Sequence, residues 1–395
     1  MKFYRGLKPP SKAEPSPSGT QKRTRLCGLP QEYGCAVARP YIILFMIFGL
    51  LMVLPARAQT IGAPQQVFII RDYDVNGRDR LVFIDLLTGE ERYIDVPGDR
   101  YTALPGGVLY VDTEARRVMY AAADGVVSVH PFIQLGEARR IDWIISPDRT
   151  RIAWTLTSGS PTALTTVTAV AALDGSQPTT PFTDGPREGI RAFPVAFSAD
   201  GSALIMDFQP DTLGDLTPFR QYAALFSVDL ATGERRSLPG EPGCFCGAGT
   251  DGRLFVRMGL AGGRAGFDLN VYNLGTGARQ TIPGLSLDAY TQGGDVLISP
   301  DGTRALYALA QVRNFGTPNQ TLQTVFVLVD LLTMTQRPLV QPINTLIRPL
   351  AWTEDNTAVL FTSPIRNGTW KLNIADDTLH AVAEAAYVGV IGLTP

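Results

Sequence analysis

Histidine, cysteine and lysine are all scarce in this chain. Its 395 residues include two histidines, His130 and His380, and four cysteines. Two histidines so far apart in sequence cannot supply a multi-histidine metal cage, and each reads as an ordinary strand residue. H-E-x-x-H, G-x-S-x-G, C-x-x-C and a phosphate-cradling glycine loop are also missing, which removes the common zinc, nucleophile-elbow, dithiol and P-loop chemistries. Cys27 and Cys35 fall in the amino-terminal segment, leaving Cys244 and Cys246 in the body. On an extended strand these two point to one face about 6.6 Å apart, at the outer limit of disulfide separation. They read as small buried side chains of an inner strand, with a strained bridge or a metal clip as the alternative. Lysine occurs once after residue 58, at Lys371, against 25 arginines, a bias that reads as compositional.

The near-neutral total of −2 averages two unlike parts. Residues 1–58 carry nine basic and two acidic residues, and residues 59–395 carry 26 basic and 35 acidic, a net charge of −9. A body that acidic has no general electrostatic footprint for nucleic acid. The first segment runs from a basic, Pro/Ser-rich stretch into the apolar run Tyr41 to Leu54, then Ala56-Arg57-Ala58. That order is a secretory signal with cleavage expected after Ala58, and an uncleaved signal anchor through 41–54 is the alternative. Either way the body is expected outside the cytoplasm, secreted or periplasmic, with membrane contact only through an uncleaved amino-terminal segment.

From Val67 onward no long amphipathic helix is legible. Apolar runs of five to eight residues, rich in Val, Ile, Leu, Phe and Tyr, are broken by turn residues every 8–12 positions. This is an all-β pattern, and internal repetition selects the architecture. IDWIISPDRTRIAWTL, PVAFSADGSALIMDF, GAGTDGRLFVRM, DVLISPDGTRALYAL and PLAWTEDNTAVLFTS share a strand, a tight Ser/Thr-x-Asp-Gly turn and a second strand. Asp148, Asp200, Asp251, Asp301 and Asp355 mark these turns about 50 residues apart, the length of one four-stranded propeller blade. LYVDTEARRVMYAA is placed in the same frame, with Glu114 at the Asp position and a unit starting near 107. A second element, as in LVFIDLLTGEERYI and ALFSVDLATGERRSL, supplies strands C and D after the A and B strands.

The ends complete the count. Three strands open the body with no strand A before them, and one strand, Tyr387 to Thr394, closes it. Pairing that last strand with the first blade makes a closed seven-bladed β-propeller over 59–395, with a six-bladed ring as the alternative. The repeats resemble the TolB-like and WD-repeat-like β-propellers of exported bacterial proteins, in which SPDG turns alternate with D-x-x-T-G turns. The resemblance covers roughly Val67 to Pro395 and implies the fold; such propellers serve as interaction platforms, enzyme-associated domains and occasional enzymes. Arg149 departs from the pattern where Gly is usual.

Short A–B and C–D turns occupy one face of such a ring, so the irregular B–C and D–A connections gather on the other. Segments 157–164, 209–221, 259–266 and 311–322 are expected as long B–C loops, with 184–192 and 284–292 among the D–A loops. Arg187, Arg191, Phe219, Arg220, Arg264, Tyr290, Arg313 and Phe315 recur in them, the residue types that form interface hot spots. One further loop, DYDVNGRD, places Asp72, Asp74, Asn76 and Asp79 around Gly77. Alternating oxygens ahead of a Gly turn suit Ca²⁺, and the loop looks like the calcium hairpins of integrin-type propellers, although an ordinary Asn-Gly turn needs the same residues. No other cofactor is expected. The sequence therefore points to a non-catalytic, monomeric binding or scaffold propeller for a protein, peptide or glycan. The alternative is a propeller hydrolase or lyase using acidic residues, with or without Ca²⁺, at the channel mouth.

Overall fold

The computed structural model describes residues 64–392 apart from 213–218, 240–246, 261–265, 286, 288, 315–316, 354 and 364–365. Cys27, Cys35, Cys244 and Cys246 lie outside the described residues, as do Arg264 and Phe315. The chain divides into two units, Met1–Ala58 and Gln59–Pro395, and only the second is described. Among the described residues there is no helix long and apolar enough to cross a membrane.

The second unit is a seven-bladed β-propeller of four-stranded antiparallel sheets. Its A strands are Ala386–Ile391, Gly98–Leu104, Arg140–Ile145, Ile190–Phe197, Ala248–Thr250, Gln292–Ile298 and Arg348–Trp352 for blades 1 to 7. Blade 1 is the composite one: Ala386–Ile391 pairs antiparallel with Gln65–Ile70, in the register Gln65↔Ile391 and Ile69↔Ala386. The ring thus has no open blade at its ends.

Apolar runs, rather than strict alternation, follow from how the blades stack. In strand B of blade 4 (Ala203–Pro210), Leu204 and Met206 face the cluster shared with blade 3 and Ile205 faces the cluster shared with blade 5. Both faces of a middle strand are buried, so both carry apolar side chains. One such cluster lies between each pair of neighbouring blades. The smallest is at the seam of blades 7 and 1, where Phe68, Val82 and Ala385 form the buried set.

The Ser/Thr-x-Asp-Gly turns form as the sequence dictates. At Ser299-Pro300-Asp301-Gly302, Asp301 Oδ1 accepts from Ser299 Oγ at 2.6 Å and from Thr303 N at 3.0 Å, while Ser299 Oγ accepts from Arg304 N at 3.0 Å. The fourth position is left-handed, φ +68° at Gly302 and +67° at Gly201, where glycine carries no Cβ penalty.

Two expectations are corrected. LYVDTEARRVMYAA is strands B and C of blade 2, Gly107–Asp112 and Arg117–Ala122, and strand A is Gly98–Leu104. Glu114 does not hold the Asp position: Asp112 Oδ1 accepts from Glu114 N and Ala115 N at 2.9 and 2.7 Å, the hydrogen bonding of the D-x-x-T-G turns transplanted to the opposite face. Segment 157–164 is not a loop but hairpin strand, Arg151–Ser160 running into Ala163–Ala172. Its buried hydroxyls satisfy one another, Thr155 Oγ1 lying 2.7 Å from Thr168 Oγ1, so polar residues that read as loop are tolerated inside a sheet. For the same reason of strand extension, 311–322 is a shorter loop than expected, with strand up to Arg313 and again from Thr321.

Candidate functional site

Arginine recurs near the head of strand A in four blades: Arg100, Arg140, Arg191 and Arg348. The A strands line the axis and begin on the face of the D–A and B–C connections, so these side chains meet at the channel mouth. A cavity of about 430 Å³ opens there. Among the described residues its wall holds five arginines, those four and Arg220, with the aromatic rings of Tyr101, Trp143, Phe193 and Tyr222, and Asp142 as the one lining carboxylate.

Asp142 is the centre of the first group. One of its oxygens takes Arg100 Nη1, and the other takes Arg191 Nη1 at 2.7 Å and lies 3.6 Å from Arg140 Nε. Asp211 adds a second carboxylate, 3.4 Å from Arg191 Nε and 3.1 Å from Arg139 Nη2. The Arg191 guanidinium is buried, and desolvation pulls its pKa down despite Asp142 and Asp211. The Nε atoms of Arg140 and Arg191 are buried with no hydrogen-bond acceptor.

The second group is built from blades 6 and 7 and a segment of blade 4. Arg348 grips Asp295 with both arms of its fork, Nε at 2.7 Å and Nη2 at 2.6 Å. Asp295 Oδ1 also accepts Arg220 N at 2.8 Å, and the Arg220 guanidinium faces Asp295 and the buried Tyr222 phenol. What holds this segment is Phe219. Its ring is 1% exposed, inserted among Leu306, Phe326, Trp352 and Phe361 between blades 6 and 7, so the chain from blade 4 is anchored two blades away. Gly294 makes that docking feasible, since a Cβ there would lie 2.7 Å from Arg220 O and from Phe219 Cβ.

Across both groups six guanidiniums (Arg100, Arg139, Arg140, Arg191, Arg220, Arg348) face three carboxylates (Asp142, Asp211, Asp295). A surplus of three positive charges is focused in the mouth of a body whose net charge is −9. Below it, Asp207 is fully buried and accepts Ala223 N and Ala224 N; burial pushes its carboxyl up to about 7 against the pull of those amides, Arg257 and Arg191.

Of the residues singled out in the sequence, Arg191, Phe219 and Arg220 come together at the mouth, with Phe219 as a buried anchor rather than an offered contact. Arg187 does not: it pairs with Asp184 and caps Phe208 on the outer part of blades 3 and 4. Tyr290 and Arg313 face each other separately near blades 5 and 6. Arg100, Arg140, Arg348, Asp142 and Asp295 were missed because they lie on strands rather than in loops. The signal that finds them is the recurring Arg just before or within an aromatic-containing strand A, as in RYTAL, RIDW, RAFPV and RPLAW.

Asp72, Asp74, Asn76 and Asp79 are not assembled as a ligand set. Asp79 is buried, with Oδ2 taking Arg71 Nη1 at 2.8 Å and the Tyr101 hydroxyl at 2.9 Å and Oδ1 taking Asp72 N. Asp74 Oδ1 accepts from Asn76 N and Arg78 N, both at 2.9 Å, and Gly77 has φ +73°. These carboxylates close a hairpin, and no group of three acidic, His or Cys side chains that could hold a metal exists among the described residues.

No family model matches the chain, and no curated protein matches its sequence. Solved structures with similar folds include one from a study of two prolyl endopeptidases, at 13% identity and TM-score 0.55 over 82% of this chain and 50% of that one. This chain thus spans half the length of that enzyme. An oligogalacturonate lyase in complex with manganese matches at 14% identity and TM-score 0.51 over 73% of this chain and 80% of that one. TolB from Acinetobacter baumannii matches at 13% identity and TM-score 0.41 over 80% and 78%. At such identities the likeness shows the propeller fold alone.

Proposed function

We propose that the chain is a non-catalytic, monomeric binding propeller of the exported type, taking an anionic part of a protein or peptide partner at the arginine-lined channel mouth. The observation that supports this reading is the lining itself: five guanidiniums converge there, and the single lining carboxylate, Asp142, is already engaged by them. A hydrolase or lyase of the acidic type needs carboxylates free to exchange protons with substrate, and Asp207 is sealed from the cavity. A glycan reading draws less support, because the Phe193 and Tyr101 rings already have partners on their faces. Phe193 lies between Arg191, 4.7 Å from its ring centre, and Tyr222, stacked at 6.4 Å. Tyr101 lies between Arg71 at 4.8 Å and Tyr110 at 5.7 Å. Placement outside the cytoplasm rests on the basic segment, apolar run and A-x-A site of residues 1–58.

The test is affinity capture from envelope extract over a range of ionic strengths, with the purified protein and an Arg100→Ala/Arg348→Ala double variant side by side. The expected result is a partner recovered by the parent, lost with the double variant and weakened by salt. Recovery of nothing above background, or equal recovery by both proteins, overturns the reading.

A further inference from the structure

The mouth is divided, and that division specifies a ligand more narrowly than positive charge does. Arg100, Arg140 and Arg191 come from blades 2, 3 and 4, whereas Arg348 comes from blade 7 and Arg220 is tied to blade 6 through Asp295. In a seven-bladed ring these two sets face each other across the axis, and one cavity of about 430 Å³ touches both. An anion with a single charged group satisfies one set and leaves the other unanswered.

Each set is already shaped around a planar carboxylate. Arg348 holds Asp295 through two parallel N–H bonds at 2.6 and 2.7 Å, and Asp142 gives one oxygen to Arg100 and the other to Arg191. Such forks match carboxylate geometry, and the five guanidiniums lining the cavity outnumber Asp142, the one carboxylate among its described lining residues. A second cavity of about 540 Å³ shares Arg100 and Arg140 with the first and is walled by Val111, Leu135 and Ile141 between blades 2 and 3. Asp99, Thr113, Arg139 and Asp211 line it as well, so it continues the site on the side of the first set with mixed apolar and charged walls.

Resting on the binding reading above, we infer that the mouth is a two-pronged site for a dicarboxylate, one carboxylate on each arginine set. A free short-chain diacid and the acidic carboxy-terminal end of a peptide present the same chemistry; only the peptide is long enough also to enter the second cavity.

The experiment is calorimetric titration of the purified protein with acetate, glutarate, the neutral diamide of glutarate, inorganic phosphate and a tripeptide Ala-Leu-Glu with a free carboxy terminus. The expected result is that glutarate binds at least about tenfold more tightly than acetate and that the diamide does not bind. Arg348→Lys, which keeps the charge and loses the fork, should bring glutarate down to the acetate level. Binding of the tripeptide more tightly than glutarate, reversed by Thr113→Trp, which fills the second cavity from an exposed position, identifies the peptide end as the source; equal binding identifies the free diacid. Thermal unfolding and near-ultraviolet circular dichroism establish that each variant is folded, and the Lys variant provides a comparison if an Ala variant fails to fold. Equal affinity for acetate and glutarate, or tighter binding of phosphate, overturns the dicarboxylate. If that happens while partner capture still depends on Arg100 and Arg348, the binding reading stands and this inference alone falls.

Discussion

The two faces of the ring are built by different rules. On the face of the A–B turns the Asp and Ser/Thr side chains of the turns bond within five residues, as in Asp200 with Ser198 and Ser202, and Ser198 with Ala203, and bonds such as Arg149 to Val390 O reach further. On the mouth face the partners are far apart in sequence: Arg100 with Asp142, Arg191 with Asp142, Arg348 with Asp295, and Arg220 with Asp295 at a separation of 75. Local bonding makes one face a repeated unit that each blade forms for itself. Long-range bonding makes the other depend on several blades being in place together. The mouth is therefore where substitutions should travel between blades, and the turn face is where they should stay local.

The sharpest way to break this contrast is Phe219→Ala. Removing a ring that is 1% exposed from the core between blades 6 and 7 should cost about 3–5 kcal/mol in denaturant unfolding, although the residue belongs to the connection of blade 4. A loss below about 1 kcal/mol would mean that the segment is not anchored there. Asp142→Asn comes next. It removes the charge shared by Arg100, Arg140 and Arg191 and should cost about 2 kcal/mol, part of it recovered in high salt as the exposed guanidiniums are screened. The matching change on the turn face, Asp200→Asn, should have a much smaller effect, since an amide oxygen can still accept from Ser202 N, and Asn273 makes the equivalent bonds in another turn. Equal losses from the two variants would erase the distinction between the faces.

A pH series separates the interior in a third way. Asp207, pushed up to about 7 by burial against an ordinary value of 3.8, holds its proton more tightly folded than unfolded. Its contribution to stability is therefore complete below about pH 4 and is lost as pH rises through 7. His130 is pushed down to about 4 by burial against 6.5, and its Nδ1 accepts from Ile133 N at 3.1 Å. Its contribution is present above pH 6.5 and is lost as pH falls through 4. The two slopes oppose each other between about pH 4 and 6.5, so the parent protein should have a nearly flat Tm there. Asp207→Asn should leave a Tm that rises with pH over that window and gain about 1–2 kcal/mol at pH 8, while His130→Gln should leave one that falls. Parallel profiles for parent and variants would show that neither group is sealed as described.

These contrasts also explain what was legible beforehand. The blade count, the C–D strands and the carboxy-terminal closure were readable because turn residues act on their own neighbours, and Asp148, Asp200, Asp251, Asp301 and Asp355 repeat with the blade. The same locality misled at Asp112-Thr113-Glu114, where a turn of the C–D kind stands between strands B and C. Arg191 and Arg220 were found because they sit beside loops. Arg100, Arg140 and Arg348 were not, because their role depends on which inner strands meet across the axis, and the clasp of Asp295 by Arg348 has no local signature at all. The partners of Asp79 were illegible for a related reason: Arg71 and Tyr101, the latter 22 residues away, both donate to it.

The smallest expected effect falls on a turn residue whose bond reaches out of its own blade. Arg149 holds φ +57° where Gly201, Gly252 and Gly302 stand in the equivalent turns, a conformation that disfavours a side chain by about 1 kcal/mol. In return its Nη2 donates to Val390 O at 2.7 Å, pinning the strand that closes the ring next to its smallest interblade cluster. Arg149→Gly removes the strain and the bond together, two terms of about 1 kcal/mol and opposite sign, so unfolding should change little. Arg149→Ala keeps the strain and loses the bond, and should be the less stable of the two by about 1 kcal/mol. Both variants should raise hydrogen exchange in Ala386–Ile391 while leaving the turn itself protected, because the bond that is lost belongs to blade 1. Unchanged exchange at that strand would mean that Arg149 is a turn residue like the others, and that long-range bonding stops at the mouth.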